Sequence, residues 1–241
     1  MEELERTAFV VGASGYTGGH VVRALRSRAV DVVAHLRPDS SRFEEARASL
    51  LEDGARVVAI PWTESGMREA LNECEPSLVF SLLGTTRKRM DAEQRRGLER
   101  SEVDYLAVDY GLTVMVLRAA QGLQSPPRFI YLSSMSADSG TANRYLKARQ
   151  LAEAGVRASA LPWTIDRPGL ITGPDRPEGR PMEQVAGSMA SVFTRVAGAL
   201  GARGLKARLH PHSGAELGEA LVRLALDPSA AGAIVESAGL R

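Results

Sequence analysis

The sequence contains a single cysteine, Cys74, among 241 residues. One cysteine excludes an intramolecular disulfide framework and a zinc site built from several cysteines, and it is typical of a protein from a reducing cytoplasm. Aromatic residues make up only 5% of the chain, which argues against a stacking platform for single-stranded nucleic acid. With 30 Lys and Arg against 29 Asp and Glu the formal net charge is +1, so the basic excess of a dedicated nucleic-acid binder is missing.

Long apolar runs are missing as well. No stretch approaches the roughly 18 uninterrupted apolar residues of a transmembrane helix. The first residues, Met1–Thr7, are acidic and lack the basic and apolar regions of a signal peptide. We therefore expect a cytoplasmic protein that binds neither a membrane nor nucleic acid. The hydrophobic share of 44% and the charged share of 24% are those of an ordinary globular protein.

Short apolar runs alternate along the chain with segments of helical periodicity. The predicted strands are Thr7–Val11, Asp31–Leu36, Arg56–Ile60, Ser77–Leu83, Arg128–Leu132, Trp163–Arg167 and a late edge strand at Gly232–Val235. The predicted helices are Tyr16–Ser27, Phe43–Leu51, Ser65–Cys74, a long region Asp91–Gly122 with breaks near Gly97 and Gly111, Ala142–Ala154, Met182–Leu200 and Gly214–Leu226. Thr172–Pro181 is predicted to be an irregular connector.

This alternation predicts an α/β fold, a doubly wound parallel sheet of Rossmann-like type with a small C-terminal helical annex. The length fits one domain over residues 1–241. Residues 172–241 would contribute the annex on the substrate side of the strand ends.

A glycine-rich segment, Gly12–Gly19, follows the first predicted strand and opens the first predicted helix. Three glycines spaced Gly-x-x-Gly-x-x-Gly in this context are typical of a dinucleotide-binding turn. They allow a tight turn, close approach of the backbone to a pyrophosphate and close packing of helix on sheet, and the helix N-terminus favours the anion. The predicted contacts of the dinucleotide in this turn are Gly12, Ser14, Gly15, Tyr16, Thr17 and Gly18.

The end of the second predicted strand bears on the choice between NADP and NAD. Arg37 lies where a guanidinium can bind a 2′-phosphate, and Ser40 and Ser41 offer hydroxyl groups. Asp39 instead favours NAD, because an acidic residue there would bind the ribose 2′-hydroxyl of that cofactor. The sequence favours NADP, with NAD as the alternative.

Ligands of such folds bind at the carboxyl ends of the strands. The fourth predicted strand delivers Leu83, Gly84, Thr85 and Thr86 to that edge, and the fifth delivers Ser133 and Ser134. Tyr145 follows at the start of a helix, and Arg149 lies one turn further on the same face. The sixth predicted strand ends at Pro168 and Gly169.

These motifs resemble the short-chain dehydrogenase/reductase superfamily. The segments GASGYTGG, LGTTR, YLSS, YLKAR and RPG are similar to its atypical members, in particular to the branch of the Tat-interactive, metastasis-suppressor oxidoreductases. The resemblance covers about Thr7 to Ile171 well and the remainder loosely. It implies an NADP-dependent oxidoreductase that moves hydride to or from a small carbonyl substrate.

Carried onto this chain, the resemblance implies that Tyr145 donates a proton to the carbonyl and that Ser134 holds the substrate oxygen, with Ser133 as the alternate. Pro168 and Gly169 match the strand end that lies beside the nicotinamide. Family members have lysine where this chain has Arg149; that lysine holds the nicotinamide ribose and lowers the pKa of the tyrosine, which is about 10 in water. Arg149 supplies positive charge, but it is larger and never releases its proton.

Two other functions stay open. The replacement of lysine by Arg149 favours a catalytically weak NADP(H)-binding redox sensor or regulatory protein that contacts another protein. A nucleotide-sugar epimerase or dehydratase is a further alternative, although such enzymes are typically longer. We predict no metal site, since His210 and His212 have no cysteine or acidic partner nearby. A homodimer is a further expectation.

Overall fold

The computed structural model describes residues 6–139, 142–173 and 211–240. Its strands are β1 (Thr7–Val11), β2 (Asp31–Leu36), β3 (Arg56–Ala59), β4 (Leu78–Ser81), β5 (Arg128–Leu132), β6 (Trp163–Arg167), β7 (Ile171–Thr172), β8 (His212–Ser213) and β9 (Ala233–Glu236). Its α-helices are α1 (Tyr16–Arg26), α2 (Phe43–Glu52), α3 (Glu64–Cys74), α4 (Arg87–Arg95), α5 (Arg100–Val103), α6 (Thr113–Gln121), α7 (Arg144–Ala158) and α8 (Gly214–Leu226). A π-helix, Leu106–Leu112, runs directly into α6. Within these residues no helix is long and apolar enough to span a bilayer.

Seven strands form one parallel sheet in the order β3-β2-β1-β4-β5-β6-β9. The chain adds strands outward from β1 in one direction and then, from β4 onward, in the other. The switch point between β1 and β4 opens a crevice at the carboxyl ends of these two strands, where ligands of open α/β sheets bind. The predicted doubly wound, Rossmann-like fold is confirmed.

Both faces of the sheet are buried, as expected for parallel strands covered by helices. Ala8 and Val10 of β1 belong to the apolar core under α1, α2 and α8. Phe9 and Val11 belong to the opposite core, under α3, α6 and α7. The period of two along β1 therefore places a helix layer on each side and leaves the carboxyl edge of the sheet for the site.

The structure differs from the sequence prediction between β4 and β5. The predicted break at Gly97 is confirmed, since this residue has a positive φ of 96° between α4 and α5. The predicted break near Gly111 is wrong, because the backbone there widens into the π-helix and continues into α6. The strand predicted to run to Leu83 ends at Ser81, so Leu82–Thr86 form the loop at the edge of the sheet.

The C-terminal segment builds into the same sheet. The late edge strand is confirmed as β9, which pairs parallel to β6, and α8 packs on α1. Gly218 permits this close contact, since a Cβ there would lie 2.9 Å from the backbone of His20. Of the annex predicted for 172–241, residues 174–210 lie outside the described part of the chain, and with them the helix predicted for Met182–Leu200.

Candidate active site

The glycine-rich turn has the geometry that its spacing predicts. Gly12 has a φ of +82°, and a Cβ on it would lie 2.8 Å from the carbonyl oxygen of Leu82. A Cβ on Gly18 would lie 2.1 Å from the carbonyl oxygen of Gly12. No other residue type fits at these two positions without a backbone shift, so helix α1 begins tight against the ends of β1 and β4.

The N-terminus of α1 is arranged to receive an anion. Gly15 caps the helix without a side-chain hydrogen bond, and the first turn contains no acidic residue. The side chain missing at Gly15 keeps this approach open. Backbone N–H groups at a helix start, helped by the helix dipole, bind phosphate groups.

One cleft of about 1060 Å³ runs along the carboxyl edge of the sheet, a volume slightly above the range of roughly 300–1000 Å³ for small-molecule sites. Seven arginines and three carboxylates line it, a surplus of four positive charges in a chain whose net charge is only +1. Its walls include most of the predicted site residues: Ser14, Gly15, Tyr16, Thr17, Gly18, Leu83, Gly84, Thr85, Thr86, Ser133, Ser134, Tyr145, Arg149, Pro168 and Gly169. A cradle without side chains and an excess of positive charge fit the phosphates of a dinucleotide.

Two predicted cofactor residues stand outside the lining of this cleft. Gly12 lies behind the turn, where it shapes the backbone. Arg37 is ion-paired with Glu93 of α4 and lies 3.6 Å from Asp39. Arg42, which the sequence analysis did not single out, does line the cleft, and it donates two hydrogen bonds to Glu45 at 2.9 and 2.8 Å.

Tyr145 lies in the first turn of α7, which Asn143 caps by accepting hydrogen bonds from the backbone N–H groups of Tyr145 and Leu146. The Tyr145 ring packs edge-to-face on Tyr105, with ring centroids 5.4 Å apart. Ser134 lines the same cleft, and among the described residues its hydroxyl makes one long contact, 3.5 Å to the Met135 carbonyl oxygen. The structure thus brings the predicted proton donor and the predicted oxygen-binding serine into one cavity.

Ser133 has a different role from Ser134. Its hydroxyl donates to Oε1 of Glu153 at 2.5 Å, inside the protein. Glu153 is in turn paired with Arg167, whose Nη2 lies 2.6 Å from Oε2. Ser133 is therefore held by a buried ion pair, which favours Ser134 as the serine available to a substrate.

Arg149 lies under the cleft, 5% exposed, and pairs with Asp109, which is fully buried. Nη2 of Arg149 is 2.9 Å from Oδ1 of Asp109, and Nη1 donates to the Leu132 carbonyl oxygen at 2.7 Å. Burial acts to lower the pKa of Arg149, but Tyr131, Tyr145 and Asp109 outweigh it and hold the pKa well above its usual value. Burial also raises the pKa of Tyr131 to about 12. Removing one partner of such a pair typically costs about 3–5 kcal/mol.

Gly84 shows how closely the cleft floor approaches this ion pair. A Cβ on Gly84 would lie 2.7 Å from Nη2 of Arg149 and 3.5 Å from Oδ1 of Asp109. Lys147, another cation of α7, is exposed and contacts Gln150 on a different face of the helix, and Arg144 pairs with Asp104. The Arg149 guanidinium lies over the Tyr145 ring, with Cζ 5.3 Å from the ring centroid, on the same helix face as its spacing predicts.

Sequence reasoning missed Asp109, Arg42 and Tyr105. Asp109 contacts Arg149 from within the π-helix, and wide turns of this kind occur frequently at functional sites. No residue pattern in the sequence marks that turn. Arg42 could have been found, since it follows the Ser40-Ser41 pair at the start of α2.

The side chains of Tyr16, His35 and His212 form hydrogen bonds that join separate elements of the fold. The Tyr16 hydroxyl donates to the Thr172 carbonyl oxygen and accepts from the Gly214 N–H, both at 3.2 Å. It thereby ties the start of α1 to the β7–β8 pair. Nε2 of His212 lies 2.8 Å from the Ser237 hydroxyl, and Nε2 of His35 lies 2.9 Å from the Ile60 carbonyl oxygen. His210 lies outside the described residues.

Comparison with known proteins identifies the family. A sequence family described as NAD(P)H-binding matches residues 12–195, about three quarters of the chain. The chain therefore belongs to this NAD(P)H-binding family. The match begins at Gly12, the first glycine of the turn, and spans every strand of the sheet except β1 and β9.

Individual relatives agree with the predicted superfamily. A short-chain dehydrogenase/reductase from Serratia marcescens superposes with a TM-score of 0.61 at 17% identity, covering 97% of this chain and 98% of that one. An epimerase-like protein from Burkholderia cenocepacia superposes with a TM-score of 0.62 at 20% identity, covering 95% and 74%. At these identities the likeness establishes the fold alone. This shared fold and the match to the NAD(P)H-binding family agree with the predicted atypical short-chain dehydrogenase/reductase superfamily.

A curated relative is more similar in sequence. The protein named fmp52, mitochondrial, from Emericella nidulans is 27% identical over 191 residues, which are 78% of this chain and 76% of that protein. The narrower resemblance to the Tat-interactive oxidoreductase branch stays a prediction.

Proposed function

We propose that this protein is an NADP-dependent oxidoreductase acting on a small carbonyl substrate. The observation that carries the proposal is the single cleft that holds both the glycine-rich turn and the pair Ser134 and Tyr145. A binding turn without these hydroxyls would support only cofactor binding. Hydroxyls in the same cavity supply the groups that hold and protonate a substrate oxygen.

The roles of the chain's own residues follow from their positions. The backbone of Gly15–Gly18 would bind the diphosphate, and Gly84 would allow the cofactor to lie close to the strand end. The Ser134 hydroxyl would donate a hydrogen bond to the substrate oxygen, and Tyr145 would transfer its proton to that oxygen. When bound, the nicotinamide supplies the hydride chemistry.

For the cofactor we propose NADP rather than NAD. Arg37 at the end of β2 and Arg42 at the start of α2 flank the region where a 2′-phosphate would lie in this fold. Both arginines have a carboxylate partner, but the Arg42–Glu45 pair is exposed and lines the cleft, whereas the Arg37–Glu93 pair is more buried and Arg37 stands outside the lining. Arg42 is therefore the stronger candidate for the phosphate contact. The surplus of four positive charges along the cleft supports a cofactor with an additional phosphate.

The ion pair of Arg149 and Asp109 supports a second candidate function. A guanidinium held by Asp109 and by the Leu132 carbonyl oxygen is occupied by the protein, whereas the lysine of the short-chain dehydrogenases/reductases holds the nicotinamide ribose. Cofactor binding without turnover would make the protein an NADP(H) sensor that contacts another protein. This candidate needs the same dinucleotide site but no proton transfer from Tyr145.

Turnover distinguishes the two functions. NADPH consumption across a panel of small aldehydes and ketones is measured for the parent protein, for Tyr145→Phe and for a matched control, Tyr110→Phe, which removes a hydroxyl outside the cleft. For an oxidoreductase, Tyr145→Phe lowers kcat by about 10²–10⁴-fold with NADPH binding unchanged, and the control keeps its activity. NADPH binding without consumption of any substrate by the parent would favour the sensor.

We also propose a cytoplasmic location and action on a small molecule. The single cysteine supports the reducing compartment. The Emericella nidulans relative is named as a mitochondrial protein, so mitochondria are the alternative location. Fractionation of cells that express the protein, with markers for cytoplasm and mitochondria, tests the location.

A further inference from the structure

Asp109 joins the floor of the cleft to the helix that carries Tyr145. Its Oδ2 accepts a hydrogen bond from the Thr85 N–H at 3.0 Å, and its Oδ1 lies 2.9 Å from Nη2 of Arg149. The Thr113 hydroxyl donates to the Asp109 carbonyl oxygen at 2.9 Å and so fixes the residue within the π-helix. One buried carboxylate therefore contacts the loop after β4 and helix α7 at the same time.

Arg149 is held beside Tyr145 and cannot swing away. Its Cζ lies 5.3 Å from the centroid of the Tyr145 ring and 5.8 Å from that of Tyr131. Nη1 donates to the Leu132 carbonyl oxygen and, at 3.3 Å, to the Tyr131 hydroxyl. An uncompensated cation at this range favours the ionised form of a neighbouring acid. Here the cation is compensated, because a fully buried carboxylate is in direct contact with it.

We infer that Asp109 is a positioning residue that compensates the charge of Arg149 and thereby keeps the Tyr145 hydroxyl protonated. A protonated Tyr145 is fitted to donate a proton to a carbonyl oxygen, whereas the reverse reaction needs a tyrosinate to withdraw one from an alcohol. The catalytic consequence rests on the proposed oxidoreductase function, but the ionisation of Tyr145 does not.

In the proposed reduction, hydride and proton reach the carbonyl group from different donors. The carbonyl carbon gains hydride and is reduced while NADPH is oxidised to NADP⁺. The O–H bond of Tyr145 breaks, and its proton passes to the carbonyl oxygen to complete the alcohol. In the opposite direction the tyrosinate accepts the alcohol proton as hydride returns to NADP⁺, so this direction speeds up as Tyr145 ionises.

In the described part of the chain, three elements and the segment before the π-helix bring titratable or charged groups against this centre, and the ion pair of Asp104 and Arg144 lies beside it at the cleft. Tyr131 comes from β5, Asp109 from the π-helix, and Arg149 with Tyr145 from α7. Tyr105 packs on Tyr145 from the residue before the π-helix. Among these groups Asp109 is the carboxylate that contacts Arg149. Removing its charge therefore leaves the positive charge of Arg149 uncompensated.

The test is an NMR titration of tyrosine ring carbons labelled at Cζ. The chain has five tyrosines, and the signal of Tyr145 is the one lost in Tyr145→Phe. We expect the parent Tyr145 to titrate at or above pH of about 10. In Asp109→Asn, which keeps the size of the side chain and one oxygen, the midpoint falls by about one to three pH units. Adding Arg149→Met to Asp109→Asn returns the midpoint to about 10 or above, a rescue that a purely structural role would not produce.

Two results would overturn the inference. One is a parent Tyr145 that titrates near neutral pH, and this outcome decides the matter even where Asp109→Asn does not fold. The other is a folded Asp109→Asn variant with the parent midpoint. In a protein that turns over, the rate of alcohol oxidation follows the same midpoints along the pH axis. If the Tyr145 midpoint shifts as expected but neither the parent nor any variant turns over a substrate, the inference about Asp109 is supported and only the oxidoreductase function is contradicted.

Discussion

A Cβ atom on Gly18 would lie 2.1 Å from the carbonyl oxygen of Gly12. This distance is far shorter than any contact between real atoms of these types, so the first turn of α1 can rest on the end of β1 only because Gly18 has no side chain. The same closeness aims the start of the helix at the cleft, where a diphosphate would bind.

Gly18→Ala is expected to destabilise the fold by about 1–3 kcal/mol or more, because its methyl group must displace backbone atoms. Gly19→Ala is the matched control, since a Cβ there would meet nothing closer than the Arg23 guanidinium at 3.6 Å. Because alanine favours the helix over glycine, Gly19→Ala should raise the free energy of unfolding by about 0.5–1 kcal/mol. Urea unfolding of both variants measures the difference, and equal stability would contradict the packing described for this turn.

Arg42→Ala is expected to weaken NADPH binding by about tenfold or more while leaving NADH binding nearly unchanged. The two dinucleotides differ only by the 2′-phosphate, and a charge-assisted hydrogen bond contributes about 1.5–3 kcal/mol. Calorimetric titrations with both cofactors measure the effect. Arg37→Ala is the comparison, because this guanidinium pairs with Glu93 and does not line the cleft. If Arg37→Ala loses more NADPH affinity than Arg42→Ala does, then Arg37, the residue predicted from the sequence, contacts the phosphate.

Asp166 predicts a pH dependence of stability. Burial raises its pKa to about 8, with Arg128 opposing the shift, and neither carboxylate oxygen has a hydrogen-bond partner within the described residues. The unfolded chain releases this proton near pH of about 4, so between there and pH 8 the folded state binds more protons. The contribution of Asp166 is therefore full below the unfolded pKa and is lost as the pH rises toward 8.

Urea unfolding of the parent and of Asp166→Asn across this pH range isolates the effect. The stability of the parent relative to the variant should fall as the pH rises, by at most about 1.4 kcal/mol per pH unit. A difference that stays constant with pH would show that Asp166 is already ionised in the folded protein.

Tyr16→Phe is expected to cost about 1–2 kcal/mol of folding stability. It removes the hydroxyl that bonds to the Thr172 carbonyl oxygen and the Gly214 N–H, and a polar group left without its partner is costly. Thermal unfolding monitored by circular dichroism measures the loss. Tyr110→Phe, for which we expect a change within about 0.5 kcal/mol, is the control, and similar effects for the two variants would argue against the tie between α1 and β7.

Much of the fold could be predicted because its signals are local. Gly12, Gly15 and Gly18 lie within seven residues. The apolar strand β1, whose side chains enter two cores, consists of five consecutive residues. Pro168 ends β6 where a proline must. These features depend on the backbone of one short segment, so the sequence pattern specifies them.

The charge pairs of the site could not be predicted, because their partners are distant in the chain. Glu93 lies 56 residues beyond Arg37 and comes beside it only when α4 is in place. Asp109 lies 40 residues before Arg149, in a π-helix, and its buried side chain meets Arg149 only when α7 is packed against that segment. Such contacts depend on tertiary packing, which neither periodicity nor spacing records.

Calorimetric titration of the purified protein with NADPH tests the central claim most directly. We expect saturable binding of one dinucleotide per chain, tighter for NADPH than for NADH, and weakened by about tenfold or more, equivalent to about 1.4 kcal/mol, in Gly15→Ala. A folded protein that binds neither NADPH nor NADH would contradict the account.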